Sequence, residues 1–219
     1  MATPAIINQL AQGISELGLT VSDANQQRLL ALIELLQQWN RTYNLTAIRE
    51  PEGMVSGHLL DSLSVCNCLP SGSLLDVGCG AGFPGLAIAI CEPERAITLL
   101  DSNQKKTRFV QHAIGHLQLK NCQVVHQRTE KYQPDQLFDS VICRAYTSLA
   151  QFAEQAGSLI VPTGQLLAMK GQRPSDEISD EIADLPSGWE ATSCEPLSVP
   201  GIPGARHLVT IRPKQSKGQ

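Results

Sequence analysis

LLDVGCGAGFPGLAIAI, running from Leu74 to Ile90, sets Asp76 two residues ahead of three closely spaced glycines, Gly78, Gly80 and Gly82. The apolar run reads as a buried strand, the glycines as a tight loop and GLAIAI as the start of a helix. That arrangement brings a nucleotide-like ligand against bare backbone, because glycine takes positive φ and has no Cβ in the way. The Gly-x-Gly-x-x-Gly match at Gly80, Gly82 and Gly85 is weak by itself. Its weight comes from the strand before it and from two acids.

The first acid bears on the cofactor. A dinucleotide puts its pyrophosphate at the loop and helix N-terminus, where a neighbouring carboxylate would face another anion. Asp76 just before the glycines instead suits a cationic ligand, such as the aminoacyl sulfonium end of S-adenosylmethionine. The second acid, Asp101, closes the next strand, AITLLD, where a carboxylate accepts ribose hydroxyls. NAD and S-adenosylmethionine share that need, so Asp101 supports a nucleoside without choosing between them.

With 219 residues, 42% of them hydrophobic, the chain has enough apolar material for one sizeable core. The start, MATPAIINQLAQGI, lacks a basic leader pattern, and no apolar run is long enough to span a bilayer, so a cytoplasmic protein is expected. Seven scattered cysteines without a CxxC pair indicate neither a disulfide framework nor a metal site. The net charge of −4 at first argues against a nucleic-acid partner. Seven acids, however, fall between Pro174 and Ala205, where there is no Lys or Arg; the remainder holds 14 acids against 17 bases. A modest basic face is therefore available elsewhere.

Ser22 is placed to cap a helix carrying Leu29, Ile33, Leu36, Trp39 and Tyr43 at three- and four-residue spacing, and a shorter helix precedes it near Ile6 to Leu17. Another helix is expected from about Pro51 to Cys68, ended by a turn at Pro70, Ser71 and Gly72. Residues 1–70 thus form a helical extension and 71–219 the main domain. From Leu74 strands and helices alternate, the pattern of an α/β fold with a mostly parallel sheet. Trp189 to Leu197 and His207 to Ile211, joined by VPGIPGA, read as a terminal antiparallel hairpin.

Ligands of such sheets bind beyond the strand carboxyl ends. Those ends offer Asp76 with the glycines, Asp101, Thr129 with Glu130, Arg144, and Lys170 before Gly171. Thr129 and Glu130 serve equally as the cap of a short turn. Arg144 follows the apolar VIC, where a guanidinium must reach the cleft or meet an acid; Lys170, after LLAM, has a salt bridge as its alternative. The chain has no [DNS]PP[YF] tetrapeptide to hold an exocyclic amine and no Pro-Cys nucleophile; Cys143 reads as a core thiol. Guanine N7 suits such a site, because its in-plane lone pair carries no proton and calls for no general base.

WNRTYNLTAIRE, HLLDSL, LLDVGCGAGFPGLAIAI, LLDSNQKKTRFV, ICRAYTSL, MKGQ and RHLVTI follow one another in an order that resembles the RsmG family, also called GidB. These are guanine-N7 methyltransferases of small-subunit (16S) ribosomal RNA. The resemblance covers nearly the whole chain. It implies a class I, Rossmann-like methyltransferase fold with a helical N-terminal extension, S-adenosylmethionine as cofactor, and 16S RNA or the small ribosomal subunit as substrate; no metal is expected, and a monomer is expected. It implies cofactor contacts at Gly78, Phe83, Thr129, Glu130 and Arg144, and places Asn44, His58, Arg128 and Lys170 on the substrate side. Asp76 and the glycines Gly78, Gly80 and Gly82 would then surround the cofactor's amino-acid end, Phe83 would pack against it and Asp101 would hold its ribose. Arg144, Lys170 and Arg128 would orient guanine and phosphates, with Lys105, Lys106 and Arg108 as peripheral phosphate contacts. His58 also reads as a buried histidine paired with Asp61 one turn along; Tyr43 and Trp39 could stack on a base, but their helical spacing reads as core first. An NAD-dependent oxidoreductase and a non-catalytic ribosome-assembly or RNA-binding factor remain the alternatives.

Overall fold

In the computed structural model, residues 3–145, 148–171, 175–204 and 206–214 are described. The chain opens with α1 (Pro4–Glu16), whose Thr3 cap accepts from the Ile6 amide, and α2 (Asp23–Tyr43), capped by Ser22 as expected. The segment expected as one helix from Pro51 is instead broken: α3 (Pro51–Met54), a π-helical turn (Val55–Leu60), α4 (Asp61–Leu63) and a 3-10 turn (Cys66–Cys68). Glycine at position 57 allows the close packing here, since a Cβ would stand 2.6 Å from Ile48 Cδ1.

The alternating part follows as β1 (Leu74–Val77), α5 (Gly85–Cys91), β2 (Ile97–Asp101), α6 (Gln104–His116), β3 (Cys122–His126), β4 (Phe138–Arg144), α7 (Leu149–Ala156) and β5 (Ile160–Lys170). After it come α8 (Ser175–Ala183), β6 (Trp189–Leu197) and β7 (Arg206–Pro213). The sheet order is β3-β2-β1-β4-β5-β7-β6. The first five strands are parallel, and β7 enters antiparallel between β5 and β6. The parallel sheet and terminal hairpin stand as expected. Helix α8 was not anticipated, because its acidic composition masked the apolar side chain, Ile178, that it buries in the second core.

Every residue of β1 and β2 is buried, as helices on both faces require. Alternate side chains feed two cores. Leu74, Leu99, Ile142, Leu167 and Leu208 meet the N-terminal helices with α5 and α6. Leu75, Leu100, Val141, Leu166 and Val209 meet the residues of α7 and α8. No helix among the described residues is long and apolar enough to cross a membrane.

Candidate active site

The carboxyl ends of β1, β2, β4 and β5 open on two neighbouring pockets. The first, of about 290 Å³, is lined by Gly78, Asp101, Arg128, Thr129 and Glu130, among others. Gly78, Gly80 and Gly82 all hold positive φ, at 65°, 59° and 87°. At Gly82 the space is closed, since a Cβ would lie 2.4 Å from Leu86 Cδ1; at Gly80 it would meet nothing nearer than Lys106 Nζ at 3.8 Å. Gly80 is thus the open side of the loop and Gly82 the packed side.

Asp101 ties the loop to the second strand. Its Oδ2 accepts from the Gly80 amide at 2.8 Å and its Oδ1 from the Asn103 amide at 2.7 Å. An ionised carboxylate has about four acceptor directions, so two remain for a ligand. Asn103 in turn caps α6, accepting from the amides of Lys105 and Lys106. Thr129 and Glu130 begin a 3-10 turn whose cap position is Arg128, not Thr129, and Arg128 and Glu130 stand 3.9 Å apart as a loose exposed pair.

Asp76 lies deeper than its place in the sequence suggests. It is wholly buried and lines neither pocket. Its Oδ2 accepts from the Gly85 amide at 2.7 Å, binding the end of β1 to the start of α5, while Oδ1 has no partner among the described residues. Burial pushes this carboxyl up to about 7, against the opposing pull of the Gly85 amide and the Arg144 charge.

The second pocket, of about 330 Å³, takes Thr46, His58, Asp61, Arg144, Lys170 and Arg206 into its wall. Arg144 is pinned at the end of β4 by the broken helix: Nη1 donates to Gly57 O and Asp61 Oδ2, both at 3.0 Å, and Nη2 meets His58 Nδ1 at 3.3 Å. A guanidinium only donates, so Nδ1 is the acceptor and the imidazole proton sits on Nε2, pointing at Thr46 Oγ1 2.8 Å away. The imidazole stacks on Phe83 with centroids 4.8 Å apart, and the Arg144 guanidinium lies 5.7 Å over the same ring. Burial first, and the Arg144 charge second, lower the His58 pKa to about 4. His58 is therefore neutral at physiological pH.

Asp61 partners Arg144 and stands 3.6 Å from Arg206 Nε, so the expected His58–Asp61 pair is replaced by an acid shared between two guanidiniums. Lys170 makes the salt bridge read as its alternative: Nζ meets Glu181 Oε2 of α8 at 2.6 Å, with only 6% and 15% of the side chains exposed. Phe83, 2% exposed, belongs to the core behind the pockets. Asn44 is exposed and lines neither pocket; it closes α2 in the left-handed conformation and accepts from Arg49. Lys105 and Arg108 are exposed along α6.

Sequence reading passed over Thr46, Arg206 and Glu181. For Arg206 a signal existed, because a strand beginning at the RH pair and antiparallel to the one ending at Lys170 must bring both to one rim, and His207 does pair with Lys170. Glu181 offered none, since any acid of the 176–195 stretch was equivalent in one dimension.

A glycine loop bonded to an acid after the second strand, on a sheet whose last inserted strand runs antiparallel, defines a class I methyltransferase. Solved structures agree on the fold. The glycopeptide N-methyltransferase MtfA in complex with S-adenosylhomocysteine matches with a TM-score of 0.59 at 11% identity, over 71% of this chain and 89% of that one. The DhpI–S-adenosylhomocysteine complex matches with a TM-score of 0.54 at 15% identity, over 90% and 100%. The chain belongs to the GidB family, rRNA small subunit methyltransferase G, whose model matches residues 25–209. Proteins named ribosomal RNA small subunit methyltransferase G are 46% identical in Marinobacter nauticus, over 96% of this chain and 97% of that protein, and 47% identical in Pseudomonas syringae pv. tomato, over 97% and 99%.

Proposed function

We propose that the protein transfers a methyl group from S-adenosylmethionine to guanine N7 in small-subunit ribosomal RNA, acting as a cytoplasmic monomer. The observation that carries this is the adjacency of a nucleoside-sized pocket ending at Asp101 to a cationic pocket built on Arg144. The residues present fit the cofactor: Asp101 keeps two acceptor directions free for a ribose, and Gly80 leaves open space against the backbone. Gly78, Thr129 and Glu130 would complete its wall, and the unpartnered Oδ1 of Asp76 would supply negative charge behind the loop. When bound, S-adenosylmethionine supplies an electrophilic methyl group on a sulfonium.

The chain's own residues then have a positioning task. N7 loses no proton on methylation, so no general base is needed, and His58 with both ring nitrogens engaged is not one. Three of the five Arg144 N–H donors are taken by Gly57, Asp61 and His58, which fixes the plane of the guanidinium. Its remaining donors suit guanine O6 or a phosphate. Arg144, Lys170 and Arg206 against Asp61 and Glu181 leave the pocket net positive, as a polyanionic substrate requires. Residues 1–70 act as an extension supplying Thr46, His58 and Asp61 to the substrate side. Orientation of this kind accounts for a large part of the rate in a transfer that needs only in-line approach.

The test is methyl transfer from radiolabelled S-adenosylmethionine to small subunits from a strain lacking this protein, with the product nucleoside identified by mass. Labelled 7-methylguanosine is expected. Tight subunit binding without label would favour the non-catalytic assembly factor; family membership and the cationic pocket already disfavour a nicotinamide enzyme.

A further inference from the structure

The broad face formed by α2 and α6 carries a row of rings that the reaction does not use. Tyr43 and Trp39 have centroids 5.3 Å apart, Trp39 and His112 5.2 Å, and His112 and His116 5.9 Å. Packing of the two helices explains Trp39, which also meets the buried Phe109 edge-on at 5.7 Å. It does not explain Tyr43, which is 45% exposed, or the exposed imidazoles of His112 and His116.

Charge and position say what covers this row. Helix α6 has no acid, and Lys105 and Arg108 precede His112 by seven and four residues, which puts them along the same face. In α2 the last acid is Glu34, more than a turn before Trp39. The row ends close in the chain to the cationic pocket: Tyr43 is three residues from Thr46, whose Oγ1 meets His58 there. Exposed aromatic rings flanked by cations, three residues along the chain from the wall of a pocket for one nucleotide, are what an unpaired RNA strand recognises.

We propose that Tyr43, Trp39 and His112 form a stacking surface for unpaired nucleotides adjoining the target guanine, with Lys105 and Arg108 on their phosphates. The inference rests on the RNA-methylating activity proposed above and extends it from one nucleotide to the strand around it.

The test compares steady-state methylation of undermethylated small subunits by wild type, Tyr43→Ala and Tyr43→Phe, each first checked for unchanged thermal unfolding. Loss of one stacked base, worth ~1–3 kcal/mol, corresponds to about a 5- to 140-fold rise in KM. That rise is expected for Tyr43→Ala with little change in kcat or cofactor affinity, while Tyr43→Phe keeps a KM close to wild type. An unchanged KM for Tyr43→Ala, or equal impairment of Tyr43→Phe, would overturn the stacking surface. Absence of label with the wild type would instead overturn the activity. A photoreactive p-benzoylphenylalanine at position 43 gives a readout independent of turnover: crosslinking to RNA is expected, and capture of ribosomal protein alone refutes an RNA strand as occupant.

Discussion

Replacing Asp76 by Asn isolates a buried charge and its effect on stability. The carboxyl is wholly buried, has one amide donor and one unpartnered oxygen, and is raised from an ordinary 3.8 to about 7. A group whose folded pKa is raised contributes stability that is complete below its unfolded pKa and lost as pH rises through its folded one. Between pH 5 and pH 8 the folded protein must therefore give up a proton that the unfolded chain has largely lost already. At ~1.4 kcal/mol per pKa unit that costs about 3 kcal/mol. Asn keeps an oxygen for the Gly85 amide but has nothing to titrate. Urea unfolding at pH 5, 6, 7 and 8, without cofactor, should show the wild type losing about 3 kcal/mol relative to Asp76→Asn across that window. A difference independent of pH would refute the reasoning, because it would mean that Asp76 stays ionised throughout. If Asp76 also lies behind a bound sulfonium and ammonium, cofactor binding near pH 7 should release a fraction of a proton, seen by calorimetry in buffers of different ionisation enthalpy.

His58 should titrate near 4 by NMR and leave no inflection near 6.5 in kcat/KM; removing the Arg144 charge by Arg144→Ala should move its pKa upward. Gly82→Ala places a Cβ 2.4 Å from Leu86 at a φ of +87° and should destabilise the fold by ~1–3 kcal/mol in urea. Gly80→Ala has room for its Cβ in the unliganded loop, so it should cost only about 1 kcal/mol of stability but weaken cofactor binding disproportionately. Lys170→Met and Glu181→Leu should each cost ~3–5 kcal/mol by removing one member of a largely buried ion pair, and the double substitution should recover most of it; additive losses would argue against the pair.

Much of the fold was legible because it rests on local rules. Ser22 and Asn103 cap helices where a side-chain oxygen precedes an apolar period, and β1 and β2 stand where the leucine pairs Leu74–Leu75 and Leu99–Leu100 lead into Asp76 and Asp101. The break after Pro51 was not legible, because nothing local in VSGHLL marks its π-helical turn, and the Ile48 side chain that Gly57 admits comes from outside the helix. Helix α8 was missed for a related reason: its composition is that of a solvated stretch, and only contact with Lys170 and the second core gives it a place.

At the site the same division holds. The sequence by itself determined the glycine loop, both acids and the charged residues at the strand ends, since a parallel sheet carries whatever follows each strand to one rim. The tertiary structure alone decided the partners. It turned Asp76 inward to an amide, gave Asp61 to Arg144 rather than to His58, fixed the His58 tautomer through that guanidinium, and set Glu181 on Lys170. The physical reason is that spacing along the chain fixes the direction of a side chain within its own element. The charge or donor it meets comes from another element 80 or more residues away for Arg144, and its identity depends on packing.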